Sequence, residues 1–487
     1  MKWFPSSILA LAFLAGALPA ISDGTGGAPG LQIFSVFSDK DRPPDPRLLA
    51  AKEIGATVVR PTPNLIWFNL EPVLGGGYLW DRHDEVIRRV QSMGFEYEAC
   101  VFPDRPDDPG KPAAATDPHA RFLVSAELRP AYQAFVRALV RRYCRIAADG
   151  NPDAAPGLLR PIHLWSFTAE LPLGWVSDDP RTLIDDMAAM FRLFYDAVHD
   201  VDRQATVVLP LDSNWPYLAA FADGYCVGRD TIVYKTRTIT RLEANSGRYL
   251  FSVDRVKSLL ADVLPDAYDI HLYGDTQSIP DRKRWLNDYV SARWHQTRPV
   301  CSMEGGEPFG SSGEVFPQGP TCEDPARLAY ESGAMARHFT LAFESGYSAV
   351  TYNLWGSYAP FGAWFGDMDL LDARNRPRPA YYTYKLAVSK LTPFSTAAPL
   401  AVRGTVSLHR FTFGASKGNV WVAWDEGLQG NQVAAHDLSA LLPFPRAQVT
   451  HAVTVAGETT PVVTVEPARA IVFGQVPVFL EAAAERR

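Results

Sequence analysis

Residues 79–102 read LWDRHDEVIRRVQSMGFEYEACVF, and they decide the fold class. Val86, Ile87, Val90 and Met93 recur at helical spacing on one face, charged side chains take the other, and Gly94 supplies a C-terminal stop. From Phe95 the helical period ends, and FEYEACVF (95–102) reads as a strand. Upstream, ATVVRP (56–61) is another short apolar strand. Strand, amphipathic helix and strand make a crossover unit, which lays its two strands parallel.

The alternation extends both ways. LQIFSVF (31–37) predicts a first strand, and PRLLAAKEIG (46–55) a helix ended by Gly55. RPAYQAFVRALVRRYC (129–144) is a helix with Tyr132, Phe135, Val136, Leu139, Val140 and Tyr143 as its buried stripe. PIHLWSF (161–167) is the fourth strand. A helix over 180–199 leads to ATVVLPL (205–211), one over 251–263 to AYDIHLY (267–273), and one over 281–295 to PVCSME (299–304). A long helix over 325–346 leads to SAVTYNLW (348–355), and PAYYTYKLAVSKL (379–391) is the last helix. Eight strands, each followed by a helix, predict an α/β protein: a (β/α)8 TIM barrel over residues 30–393. No Gly-x-Gly-x-x-Gly follows the first strand, which argues against a dinucleotide-binding open sheet. After Pro393 the texture changes to short strands between turn signals, such as VSLHRFTFG, NVWVAWDEG and ARAIVFGQVPVFLE. These predict a C-terminal antiparallel β-sandwich over 394–487, with the stretch before Leu31 a candidate to join it.

Of the 487 residues, 47% are apolar and 21% charged, enough to bury a large core. Net charge is −7, with no block of like charges, so no nucleic-acid partner is expected. Lys2, the apolar run Ile8–Leu18 and the small residues of ALPAIS predict a signal peptide over 1–22. An uncleaved anchor is the alternative reading of that run. No other stretch is long and apolar enough to span a bilayer, so the mature protein is expected to be secreted or periplasmic. Cys100, Cys144, Cys226, Cys301 and Cys322 are widely spaced, without a C-x-x-C or a His-rich cluster. No metal site or cofactor is expected, and an exported chain leaves room for one or two disulfides of undetermined pairing.

In a barrel of this kind, reacting groups gather at the C-terminal ends of the strands. The polar residues there are Arg60, Glu170, Asp212, Asn214, His271, Tyr273, Glu304 and Asn353. Hydrophobic strands run directly into Glu170 and Glu304, on the fourth and seventh strands, which lie nearly opposite in an eight-stranded ring. Two opposed carboxylates are what glycoside cleavage needs: one protonates the leaving oxygen, the other attacks the anomeric carbon. Glu307 is the runner-up nucleophile, placed in the following loop. His271 and Tyr273 share a face by strand alternation, and Tyr273 is the better candidate to touch Glu304. Trp215, Trp355 and Trp364 are candidate sugar platforms or core residues, and Trp421 and Trp424 read as packing between the two parts of the chain. The basic, polar segment 217–250 is either a wall of the cleft, suited to an acidic substrate, or a solvated decoration.

These motifs resemble those of clan A glycoside hydrolases. PIHLWSFTAEL resembles their W-x-x-G-N-E motif, which implies that Glu170 is the acid/base. RPVCSMEGG resembles K-P-x-x-x-T-E-x-G, which implies that Glu304 is the nucleophile. The passage from Gly55 to Glu96 is similar to the clan's second-to-third-strand region, whose arginine, Arg60 here, steadies the nucleophile. YDIHLYG and DMDLLDARNRPRPAYYTYKLAVSKL resemble the sixth-strand and closing segments. The C-terminal part is most like family 39 and its bacterial exopolysaccharide-cleaving relatives, and the likeness covers nearly all of residues 30–480. It implies an exported retaining glycoside hydrolase acting on an oligo- or polysaccharide. One departure is plain: Ala169 stands where the family has the Asn that bonds the sugar 2-hydroxyl. Either the sugar lacks that free hydroxyl, or another residue reaches it, or the protein binds glycans, in exopolysaccharide assembly for example, without cleaving them.

Overall fold

The computed structural model describes residues 28–33, 45–61, 65–108, 123–145, 150–171, 180–212, 214–234, 237–306, 325–353, 370–372, 374–400, 404–414, 418–428, 432–444, 446–454, 462–465 and 471–483. Strands β1 (Ala28–Ile33), β2 (Val58–Pro61), β3 (Glu96–Phe102), β4 (Leu164–Phe167), β5 (Thr206–Leu211), β6 (Ala267–Ile270), β7 (Val300–Cys301) and β8 (Ala349–Asn353) form a curled parallel sheet. Their spatial order is β7-β6-β5-β4-β3-β2-β1-β8, with the short strand Leu65–Ile66 beside β3. Just past β7, Ser302 bridges Val350 of β8: its N–H donates to Ala349 O at 2.8 Å, and Thr351 N–H donates to its carbonyl at 2.7 Å. Helices Pro46–Glu53, Asp81–Ser92, Arg129–Tyr143, Pro180–His199, Gly247–Asp262, Ile279–Trp294, Pro325–Glu344 and Pro379–Leu391 follow the strands in turn.

Strand alternation divides the side chains between two environments. Val59, Tyr97, Ala99, Trp165, Phe167, Val207, Leu209, Tyr268 and Val350 pack with the helices in the main core. Val58, Val208, Ala267, Cys301 and Ala349, with Leu164 against them, form a separate apolar cluster. Val58 on β2 and Ala267 on β6 are distant in the sheet order, so their cluster forms only because the sheet curls its inner face upon itself. Val58, Leu164, Ala267 and Ala349 each begin their strand, so this cluster plugs the N-terminal end.

Of the stretch before Leu31, the described residues Ala28–Gly30 do not join the C-terminal sheet. Ala28–Gly30 lies in β1, in register with Ala349–Thr351 of β8, and Thr57 N–H donates to Pro29 O at 2.8 Å. The C-terminal strands are β9 (Thr396–Leu400), β10 (Val406–Thr412), β11 (Val420–Asp425), β12 (Val433–His436), β13 (Ala447–His451), β14 (Val462–Val465), β15 (Ile471–Gly474) and β16 (Val478–Ala482). Six form an antiparallel sheet in the order β9-β10-β11-β16-β13-β14, and β12 pairs with β15. Trp421 and Ala423 face the β12–β15 pair, in one core with Ile471 and Phe473. Val420, Val422 and Trp424 face the other way, into the core shared with the helices. Of the two tryptophans, then, Trp424 packs between the two parts of the chain, and Trp421 belongs to the sheet's own core.

Segment 217–250 begins as a buried helix and continues, past Ala222, as a largely exposed stretch. Helix Asn214–Ala222 buries Trp215, Leu218 and Phe221 in the main core, and the hairpin Thr231–Tyr234/Arg237–Thr240 follows it. A capping box between Thr240 and Glu243 starts the next short helix. Arg229 and Tyr217 both contact Asp275, tying the segment to the loop after β6. Among the described residues no disulfide forms: Cys100, Cys144, Cys226 and Cys301 are buried free thiols on separate elements. Cys322 and the predicted signal peptide lie outside the described residues. Among the described residues no helix is long and apolar enough to cross a membrane.

Candidate active site

One step above the apolar plug, the inner face of the sheet becomes polar. Two residues on from Val58 comes Arg60, and two on from Ala267 comes Asp269. Glu98 and Cys100 occupy the same face of β3. Arg60 is 1% exposed and fans its guanidinium over this layer. Its Nε donates to Cys100 Sγ at 3.1 Å, and its Nη1 to Asp269 Oδ2 at 3.3 Å. Nη1 also lies 3.3 Å from His271 Nε2 and 3.8 Å from Glu304 Oε2. Nη2 donates to the backbone carbonyl of Ala169 at 2.6 Å. One buried cation therefore touches the supports of both candidate carboxylates. Asp269 also accepts Met303 N–H at 2.8 Å, which fixes the backbone immediately before Glu304.

Glu304 follows β7 and is 12% exposed. Tyr273 donates its hydroxyl to Glu304 Oε1, and Leu272 N–H donates to Glu304 O at 2.9 Å. His271 is fully buried, with Nδ1 3.3 Å from Glu170 Oε1 and 3.8 Å from Glu304 Oε2. The two glutamates thus converge on a single imidazole nitrogen. That shared neighbour keeps the two oxygens within about 7 Å of each other, an upper bound within which the retaining spacing of about 5–5.5 Å falls.

The chain reaches Glu170 through an unusual turn. Thr168 is buried and has φ 66°, in the left-handed region where a β-branched residue is an outlier. It stands where the W-x-x-G-N-E motif has glycine, so the backbone keeps a glycine-like turn without the glycine. Thr168 N–H donates to Val101 O at 3.0 Å, and Ser166 Oγ donates to Thr168 O at 2.9 Å, holding the turn in place. Such a conformation costs on the order of 1–3 kcal/mol. Thr168→Gly is therefore expected to melt no lower than the native protein, because relief of strain offsets the lost side chain. A drop in melting temperature of more than about 5 °C would mean that the turn is not strained.

The protonation states follow from the surroundings. Partial dehydration just past the end of β4, and then the nearby Asp212, push the Glu170 carboxyl up to about 7, against the lowering effect of His271. Its side chain is 43% exposed, so it still meets the solvent from which a substrate would arrive. Burial alone would depress the His271 imidazole, but Glu304 and Asp269 overcome it and hold the ring well above its ordinary value. At neutral pH the site therefore pairs an imidazolium with a Glu170 that keeps its proton for part of the time.

Arg60, Glu170, His271, Tyr273 and Glu304 thus come together in the structure. Trp215 does not: it is 1% exposed in the main core, so its ring has no free face for a sugar, and the platform expectation is corrected. Asn214 begins a helix and Asn353 ends β8; Trp355, Trp364 and Glu307 lie outside the described residues. Among the described residues no group of side chains is arranged to hold a metal ion. Sequence reasoning missed Glu98 and Asp269. The available signal was alternation: Asp269, His271 and Tyr273 share a face, as do Glu98 and Cys100.

No protein-family model matches the chain, and no curated protein matches its sequence. Solved structures match its fold. A family 39 glycoside hydrolase from the gut symbiont Bacteroides cellulosilyticus WH2 gives a TM-score of 0.63 at 13% identity, over 94% of this chain and 81% of that one. A glucosidase from Croceicoccus marinus gives 0.56 at 12% identity, over 94% and 95% of the two chains. A family 51 α-L-arabinofuranosidase from Thermotoga petrophila RKU-1 gives 0.55 at 10% identity, over 94% and 97%. At these identities the likeness is one of fold: the chain folds like these glycoside hydrolase structures.

Proposed function

We propose that this chain is an exported retaining glycoside hydrolase that cleaves O-glycosidic bonds of an oligo- or polysaccharide. The observation that carries the reading is the convergence of Glu170 and Glu304 on His271 Nδ1, at 3.3 and 3.8 Å. In this reading residues 30–393 form a complete (β/α)8 barrel, 394–487 an accessory β-sandwich, and 1–22 a signal peptide that directs the protein to the periplasm or outside the cell. Glu304, oriented by Tyr273 and Arg60, attacks the anomeric carbon. Glu170 gives its proton to the leaving oxygen, then takes one from the water that releases the sugar. No step requires a cofactor.

Tyr273→Phe tests the orientation of the nucleophile. A hydrogen bond to a charged group contributes about 1.5–3 kcal/mol, so kcat/KM is expected to fall roughly 10- to 150-fold with the melting temperature little changed. An unimpaired variant would remove Tyr273 from the mechanism. Ala169 favours a second reading, a glycan-binding or exopolysaccharide-assembly protein on a catalytically degenerate barrel, because its methyl offers no hydrogen bond to a sugar. A panel of aryl glycosides and bacterial polysaccharides separates the two readings: turnover by the native protein supports the first, and binding without turnover the second.

A further inference from the structure

Glu98 has no place in the mechanism above, yet it lies directly beneath it. Its side chain is fully buried, and neither carboxyl oxygen has a hydrogen-bond partner among the described residues. Oε2 lies 3.5 Å from Arg60 Nε, but Nε gives its proton to the Cys100 thiol at 3.1 Å. A guanidinium beside an ionised carboxylate would be expected to donate to it in preference to a thiol. Asp269, by contrast, accepts from Arg60 and Met303, and Glu304 from Tyr273.

The charge balance points the same way. Were Glu98, Glu170, Asp269 and Glu304 all ionised, then among the described residues four negative charges, with Asp212 near Glu170 besides, would face only Arg60 and an imidazolium at His271. A buried site does not carry two uncompensated charges at modest cost; it takes up protons instead. Of the three acids around Arg60, Glu98 is the one with no donor to stabilise its charged form.

We propose that Glu98 is a positioning residue held in its protonated form, which leaves the charge of Arg60 to Glu304, Asp269 and the Ala169 carbonyl. This inference rests on the catalytic reading of the site. The groups facing Glu98 are Arg60 from β2, Cys100 and the neighbouring Tyr97 on its own strand, Asp269 and His271 from the β6 segment, Cys301 from β7 and Glu304 after it. Dehydration pushes the Glu98 carboxyl up to about 7, outweighing the pull of Arg60, and Asp269 and Glu304 add to the rise. Its titration is therefore coupled to that of the site above. As pH rises and Glu98 ionises, its new charge makes Glu170 hold its proton more tightly, which extends activity to higher pH.

The sign of the stability effect follows. A carboxyl that binds its proton more tightly folded than unfolded makes the fold lose stability as pH rises from about 4.3 towards about 7. Glu98→Gln cannot ionise and escapes this loss. The melting temperature of E98Q relative to the native protein is therefore expected to rise by roughly 2–4 °C between about pH 5 and about pH 8. A Glu98 that is ionised as an ion-pair partner of Arg60 carries its charge folded and unfolded throughout this range and gives a nearly flat difference, and a slope that is flat or negative overturns the proposal. If E98Q does not fold, Glu98→Met, which also lacks the charge, is read in the same way. In activity, E98Q is expected to keep kcat within about twofold at pH 6 while its alkaline limb moves down by about half a pH unit. A purely structural role would leave that limb in place. The melting measurement needs no substrate, so a native protein that turns over no glycan overturns the catalytic reading while this arm still decides the state of Glu98.

Discussion

Replacing Glu304 with Ala is expected to lower kcat on any substrate of the native protein by on the order of 10⁴-fold or more, about 5.5 kcal/mol of barrier. The size of the effect follows from the role proposed for the residue. In the proposed mechanism there is no covalent intermediate without this carboxylate, and the remaining groups supply only binding and charge. Arg60, Asp269 and His271 are all arranged around that carboxylate. Ala at 304 leaves their positive charge only partly compensated, so the variant is also expected to melt a few degrees lower and must be shown folded by circular dichroism. Glu304→Gln keeps the shape and the Tyr273 contact, and it should be equally inactive. Should either variant retain turnover within about tenfold of the native protein, Glu304 is not the nucleophile and the double-displacement reading fails.

The frame of the molecule was legible because its strands are short, apolar and separated by helices with clear stripes. Val86, Ile87 and Val90 are buried as their spacing predicts, and the helix Pro379–Leu391 has the predicted ends. The first strand was harder. Ala28–Gly30 carries Pro29 and Gly30, which read as a break, yet tertiary pairing with β8 and β2 overrides that local signal. The two glutamates were legible because each ends an apolar strand. Glu98 and Asp269 were not, because a polar residue inside a strand is read by default as facing water. Only the curl of the sheet turns that face into a buried polar layer, and curl is a property of the whole sheet rather than of β3 or β6. Trp215 fails as a platform for the converse reason: an aromatic beside a strand end has the composition of a sugar site whether its face is open or packed.

Replacing Glu170 with Gln is expected to change the shape of the pH profile as well as its height. The carboxyl, pushed up to about 7, carries its proton below that pH and loses it above. In the native protein kcat/KM should therefore hold on the acid side and fall through an alkaline limb near pH 7. Gln neither gives nor takes a proton, so this limb should vanish in E170Q. For substrates with poor leaving groups, kcat/KM should drop by about 10²- to 10⁴-fold. For aryl glycosides whose phenol leaves without protonation, the drop should be far smaller, and kcat and KM should fall together as release of the covalent intermediate becomes limiting. That dependence on the leaving group separates a proton donor from a residue that merely shapes the pocket, whose loss would affect all leaving groups alike. It also tests the strained approach through Thr168 and the Arg60 bond to Ala169 O, since these hold Glu170 within reach of His271 and the leaving oxygen. An alkaline limb that persists in E170Q would assign it to another group, and Glu98 would be the first to examine.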